Sequence, residues 1–378
     1  MTIDLSASVS ASHPRLPVSD VYLGGSRVPS LIVKKVVITT AEGLHDGVEL
    51  TCSMPFRDLR QLSGAPIQFR FGIAPDSGRF TGYVRTAEKS QKLSDAIEVE
   101  IKCIGATSPM SGIPLWGLAS DIRLTDLVNQ IDRAVPCGVY HAGLDQSAVL
   151  QRLSFGGDNL WRLLQSIAPL LRRRVVNREG VVWLVDPLEE LRTQGPLLQL
   201  NKSMDNFGSG DRALLDFVPT SGPTSSPFPL TGWFGDDGEA RILSPSEEFD
   251  VEWQGGYYLT DDAHAELVRR GWEWSTTART ETATARTKGN ASIYNGTVVS
   301  VRTGLGRVIE SATDGLWFVE RVRHHIEGDD FQTHLTLSRD RYRPSATPGR
   351  YEPFYTRTGA GYPGLRLDDD QWVSTWSR

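Results

Sequence analysis

Residues 315–342 read GLWFVERVRHHIEGDDFQTHLTLSRDRY. Two runs rich in Val, Phe, Thr and Leu flank Gly328, Asp329 and Asp330, a turn composition, so the stretch reads as a long β-hairpin. Its first strand carries an apolar-Val-x-x-Val-x-His pattern and its second returns as Thr-x-Leu-x-Leu-x-Arg. His324 and His325, with Glu327, Asp329 and Asp330 close by, resemble a metal or acid/base cluster. Successive strand residues face opposite sides, however, so the two histidines cannot chelate one ion without distortion. Even with His334 added across the turn, the reading is an ordinary strand pair, with no metal site.

Upstream, TATARTKG, YNGTVVSVRT and GRVIESA are further β-rich runs punctuated by Gly and Asn-Gly, giving a β domain over 279–342 whose pairing with earlier segments is open. A first β domain spans 28–112. There LIVKKVVITT, DGVELTCSMPF, APIQFRFGIA, GRFTGYVRTAEK and AIEVEIKCIGA are separated by turn signals at the spacing of an antiparallel sandwich or barrel. Ile67, Phe69 and Phe71 alternate with Gln68 and Arg70, giving one buried and one wet face.

Between them, 113–190 changes period. Leu124, Leu127, Val128, Ile131 and Val135 make one amphipathic helix, with Thr125 and Asp126 placed to start it. Leu160, Leu163, Leu164, Ile167 and Leu170 make a second, capped by Asp158 or Asn159 and ended or bent by Pro169. RRVVNREGVVWLVDP then reads as a hairpin about its NREG turn. Residues 191–278 are a loop-rich insert holding one helix, opened by Asp261 or Asp262 and closed near Gly271. Residues 1–27 form an extended N-terminal arm and 343–378 an extended C-terminal tail. The fold class is α+β, mainly β.

The 378 residues suffice for two or three domains, and a net charge of −6 argues against a surface that neutralises nucleic acid in bulk. Cys52, Cys103 and Cys137 are an odd set without CxxC spacing, so neither a disulfide framework nor a zinc site is expected. No run approaches a membrane span, and the N-terminus lacks a basic region followed by an apolar block.

The order of β domain, helix-helix-hairpin, insert and second β domain resembles the baseplate hub family of phage tails, the late-control or tail hub proteins. That family includes the T-even hub and the N-terminal part of type VI spike proteins. Gly315–Tyr342 is similar to its closing hairpin, and LSFGGDNLWRLLQSIAPLL (Leu153–Leu171), followed by VVWLVDP, to its helix and short read-out hairpin. The similarity covers about 30–342 in order; the 200–260 segment and the C-terminal tail match no motif of it. It implies two tail-tube-like barrels per chain, three chains forming a pseudo-hexameric ring, and adaptation of a six-fold tube to a three-fold tip. The implied setting is a virion tail tip, after synthesis in the host cytoplasm. The implied partners are two further copies, a tail tube or distal tail protein, a tip, fibre or spike protein, and DNA or a tape-measure protein passing without specific binding.

No enzyme is expected, and no cofactor. His141, Asp145, Ser147, Ser154 and Asp158 form no GxSxG elbow, and TGLGR lacks the lysine and following helix of a phosphate loop. Asp236/Asp237 read as a turn and Asp261/Asp262 as a helix start. A tail-associated peptidoglycan hydrolase and a spike subunit of a phage-like injection system are the alternatives. Arg172, Arg173 and Arg174 are candidate partner contacts, a basic run at a helix C-terminus. Tyr351, Phe354, Tyr355, Tyr362, Trp372 and Trp376 are candidate aromatic anchors on a neighbouring protein.

Overall fold

The computed structural model describes residues 18–28, 31–54, 62–73, 76–89, 97–141, 143–144, 148–186, 199–201, 211–220, 228–235, 237–245, 251–253, 259, 261–277, 281–303, 315–339, 342–344, 351–353, 365–368 and 371–374. Seven strands open the chain: β1 (Val18–Leu23), β2 (Ser26–Arg27), β3 (Ile32–Ala41), β4 (Gly47–Met54), β5 (Pro66–Ile73), β6 (Asp76–Lys89) and β7 (Ile97–Gly105). They pair in the order β2-β1-β5-β6-β7-β4-β3 and curl around Phe69, Phe71, Phe80, Leu50 and Ile101. Val21 and Leu23 of β1 share this core with Val33 and Val36 of β3. No ladder joins β1 to β3 among the described residues, so the first barrel keeps an open seam. The expected arm therefore stops short: 18–27 is barrel strand, because Val21 and Leu23 alternate into the core.

A mixed module follows: β8 (Pro114–Arg123), α1 (Leu124–Ala134), β9 (Val139–His141), β10 (Val149–Asn159), α2 (Leu160–Leu170), β11 (Arg174–Arg178) and β12 (Val181–Val185). Both helices and the NREG hairpin lie where the sequence puts them. Asn159 caps α2, its Oδ1 accepting from the Arg162 amide at 2.9 Å. Helix α1 starts instead behind Arg123 with no side-chain cap. The β8–β10 ribbon escapes the pattern, since Gly117, Gly156 and Gly157 interrupt its alternation.

Next come β13 (Gln199–Asn201), β14 (Asp211–Thr220), β15 (Phe228–Leu230), β16 (Gly232–Phe234), β17 (Ala240–Ile242), β18 (Val251–Trp253), α3 (Asp262–Thr277), β19 (Glu281–Lys288), β20 (Val298–Arg302), β21 (Gly315–Glu327) and β22 (Asp330–Arg339). Six of them close a second barrel in the order β21-β20-β13-β14-β19-β22, with β22 returning to β21. Its core holds Trp317, Val319, Val322, Leu335, Leu337 and Leu200. Residues 191–278 are thus no separate insert. Strands β13 and β14 complete the barrel, while Trp233, Leu243, Ala265 and Val268 pack on the helical core. Helix α3 also runs through Gly271 to Thr277. A Cβ at Gly271 would stand 2.9 Å from the Pro169 carbonyl, so this glycine serves the close approach of α3 to α2 and is not a stop. GRVIESA falls outside the described residues. The C-terminal stretch holds two short strand pairs, β23 (Tyr342–Pro344) with β24 (Tyr351–Pro353), and β25 (Leu365–Asp368) with β26 (Gln371–Ser374).

Candidate assembly surface

The β21–β22 hairpin is shared by both barrels. Gly315–Phe318 of β21 pair with β20, and Arg321–Glu327 pair with β3, while β22 runs along the other edge from Phe318 to Glu327. The handover falls at Glu320, a bulged residue around which the register shifts. Ile326 belongs to the first core, Val322 to the second. His324 lies between them, ring against Phe71 at 5.3 Å and Phe331 at 5.8 Å, with its Nδ1 3.0 Å from the Thr333 hydroxyl. Burial pushes its pKa down to about 4, a hydrogen bond to the Ile293 backbone acting weakly the other way. His325 faces outward, 3.7 Å from Glu327. Among the described residues no group of three His, Cys, Asp or Glu could hold a metal ion.

The helical module is wedged against this junction. The Gly43 carbonyl accepts from Gln165 Nε2 at 2.6 Å and Trp161 Nε1 at 3.2 Å, and the Asn177 amide donates to the Leu44 carbonyl at 2.6 Å. On the other side Arg178 donates to the Gly296 carbonyl at 3.0 Å, and Val176, Val185, Val298, Leu316 and Phe318 form a joint core. Arg174 lies at the centre. It is 3% exposed, 3.3 Å from Glu42 and 3.7 Å from Glu320, and its guanidinium sits 4.1 Å over the Phe318 ring. Arg173 is likewise buried, on Asp186 at 3.1 Å and the Gly143 carbonyl at 2.8 Å. Arg173 and Arg174, read from sequence as partner contacts, are therefore intrachain ties; a basic run looks the same on either side of the surface. Only Arg172 is exposed, in a turn at φ 53°.

Of the aromatic anchors, Tyr351 and Trp372 stand in the short C-terminal strands, and Phe354, Tyr355, Tyr362 and Trp376 lie outside the described residues. The described members of the acidic pairs are placed in local roles, and Asp236 lies outside the described residues. Asp261 Oδ1 caps α3 on the His264 amide at 2.8 Å, Asp262 takes Trp233 Nε1 at 2.8 Å and Arg241 at 2.7 Å, and Asp237 accepts from the Glu239 amide at 3.1 Å. Phe234 (72% exposed) and Ile242 (63%) share one face of the β16–β17 hairpin, and Trp116 (75%) rides on β8. Composition and motif alone single out none of the three. The signal for the first two was the alternation of WFGDDGEARI around its Asp-Asp-Gly turn.

Eight strands, β6-β7-β4-β3-β21-β22-β19-β14, pair in succession across the two barrels and present one outward face. Thr86, Lys102, Glu49, Val37, His325, Gln332 and Lys288 stand in register along one row of it. Grooves of about 710 and 880 Å³ lie on it, one over each barrel, and Arg321 and Arg323 line both.

This two-barrel architecture with an intervening helical module is a known one. The chain superimposes on a tail protein from Neisseria meningitidis (TM-score 0.59, 16% identity, 86% of this chain and 96% of that one). It matches the 43 kDa tail protein of prophage MuSo2 from Shewanella oneidensis (0.58, 15%, 85% and 98%). It also matches an Escherichia coli type VI secretion component described as similar to bacteriophage T4 tail proteins (0.56, 9%, 87% and 80%). No protein-family model and no curated protein matches. The chain has the tail-hub fold that its sequence resembles.

Proposed function

We propose that this protein is a structural subunit of a phage tail tip, three copies of which close into a ring of six barrels around a channel. The carrying observation is the single eight-stranded face that crosses both barrels. At a strand spacing of about 4.8 Å one face spans about 38 Å, and three faces give a circumference of about 115 Å, or about 37 Å across, with about 25 Å clear once side chains are subtracted. That admits a DNA duplex or a tape-measure protein. Two similar barrels per chain supply six positions for a six-fold tube from a three-fold assembly. Phe234, Ile242, Arg172 and the C-terminal aromatics are the proposed contacts to the tube or distal tail protein and to the tip or spike.

The role is structural, not catalytic. The acidic pairs Asp236/Asp237 and Asp261/Asp262 were the hydrolase candidates, and their described members cap a helix, bind Arg241 and hold a turn. Light scattering of the purified chain should give a trimer, and negative-stain images a six-lobed ring with an open centre. A chain that stays monomeric at high concentration, and whose virions carry no density for it at the tube end, would sink the reading.

A further inference from the structure

On the outward face, Arg323 of β21, His334 of β22 and Arg286 of β19 stand directly opposite one another. Arg321 lies one step along β21 on the same side, and Lys288 one step along β19. Like charges directly opposite on a sheet repel, and a chain with 46 acidic residues has ample means to alternate them. Across β21, β22 and β19 it does not do so. None of Arg286, Lys288, Arg321 and Arg323 makes an ion pair with any described residue. Asp216 stands opposite Arg286 in register, also without an ion pair, while Glu327 and Asp330 lie at the turn end. His334 has its pKa lowered by burial, then by Arg286, Arg323 and His325.

We infer that this row is a contact for the phosphates of a DNA duplex. Three features select that ligand. The four arginines and lysines lie on two strands, β19 and β21, on either side of β22 and so about 10 Å apart, and two residues apart along each, a two-dimensional array for a rigid polyanion. The surface between them is Thr284, Gln332 and Thr336, with no aromatic platform for the bases of a single strand. Among the described residues that line it, the apolar ones, Ala285 and Leu335, are buried, so the side chains of an acidic peptide find no pocket there in which to anchor. Contact is therefore to backbone alone, independent of base sequence, and the acidic rim of Asp216, Glu327 and Asp330 keeps it weak enough for a passing duplex.

The inference rests on the proposed hub for the source of the duplex, and the test separates the two. Fluorescence anisotropy of the full chain with a 30-base-pair duplex should show binding at 50 mM salt. Four phosphate contacts predict affinity falling about 150-fold between 50 and 200 mM salt, and Arg286→Gln with Arg323→Gln should cut that fall to about 12-fold. Arg27→Gln with Arg270→Gln, the same charge change elsewhere, should leave the salt dependence unaltered. Thermal denaturation of the Arg286→Gln/Arg323→Gln chain should show no loss of stability, since a repulsion has been removed. The inference is overturned by a double variant with unchanged salt dependence, by control changes that act equally, by a melting temperature that drops, or by oligo(dT) or polyglutamate binding as tightly as duplex. A trimer that ignores duplex refutes this inference alone; a duplex-binding chain that never trimerises refutes the hub alone.

Discussion

The two barrels solve the same problem with different chain economy. The first is assembled from residues 18–105, mostly by antiparallel neighbours, and among the described residues leaves a seam between β1 and β3. The second is closed, yet its strands come from 199–201, 211–220, 281–288, 298–302 and 315–339, and β13 enters it by parallel pairing on both edges. A strand of three residues has little stability of its own, so β13 holds its place only because β14 and β20 are already positioned. The second barrel depends on tertiary context, above all on the hairpin it shares with the first and on the wedge formed by β11 and β12.

That contrast can be tested by deletion. Trp317, 1% exposed in the closed ring with Arg339 4.1 Å above its ring, cannot be replaced by relaxation of the strands around it. Trp317→Ala should cost about 4–5 kcal/mol in urea denaturation. Phe69→Ala, at the heart of the first barrel, should cost nearer 3 kcal/mol, because the open seam lets that wall collapse into the cavity. Equal costs would remove the distinction.

Arg174→Ala should cost about 3 kcal/mol by leaving Glu42 and Glu320 without their buried cation, and Lys, which lacks the planar fork over Phe318, should restore only part. Amide exchange sharpens the comparison: in this variant β20 should lose protection before β4 and β7 do.

The barrels also carry opposite pH responses. Asp46, in the β3–β4 turn of the first, is raised to about 7 by burial, with a hydrogen bond from Asn177 partly offsetting. Its contribution is full below about pH 4 and is lost as pH rises towards 7. His324 is lowered to about 4, so its contribution is full above pH 6.5 and lost as pH falls through 4. Asp46 is worth about 4 kcal/mol and His324 about 3 kcal/mol across their windows, and the two oppose one another. Relative to wild type, Asp46→Asn should lose stability and His324→Gln gain it on acidification from pH 6.5 to 4; parallel profiles for the two would contradict this assignment. Smallest of all, Gly271→Ala should cost about 1–2 kcal/mol by pushing α3 off Pro169, read as a drop in melting temperature.

Hairpins with regular alternation were legible from residues alone: β4 to β7, the NREG pair and the long β21–β22 hairpin all lie where their periods put them. So were α1, α2 and the Asp261 start of α3, because amphipathic spacing and caps act within a few residues. The β8–β10 ribbon was not, since glycines break its pattern; the runs at 197–208 and 212–220 can be read as strands, but the place of β13 and β14 in the second barrel was hidden because parallel and long-range pairing leaves no local mark. Of the assembly surface, the composition of 315–342 was visible, but which of its cations face one another was not.

The sequence by itself determined the elements, the two β regions around a helical centre, and the divergence of His324 and His325, all consequences of side-chain period. Tertiary structure alone decided that the basic run at 172–174 turns mostly inward. It decided too that one hairpin serves two cores, and that Arg323, His334 and Arg286 share a row. Those outcomes depend on pairing between residues from 9 positions apart, as His324 with Thr333, to 292 apart (327 − 35), as Glu327 with Lys35, and free energy at that range comes from burial and register, to which local spacing is blind.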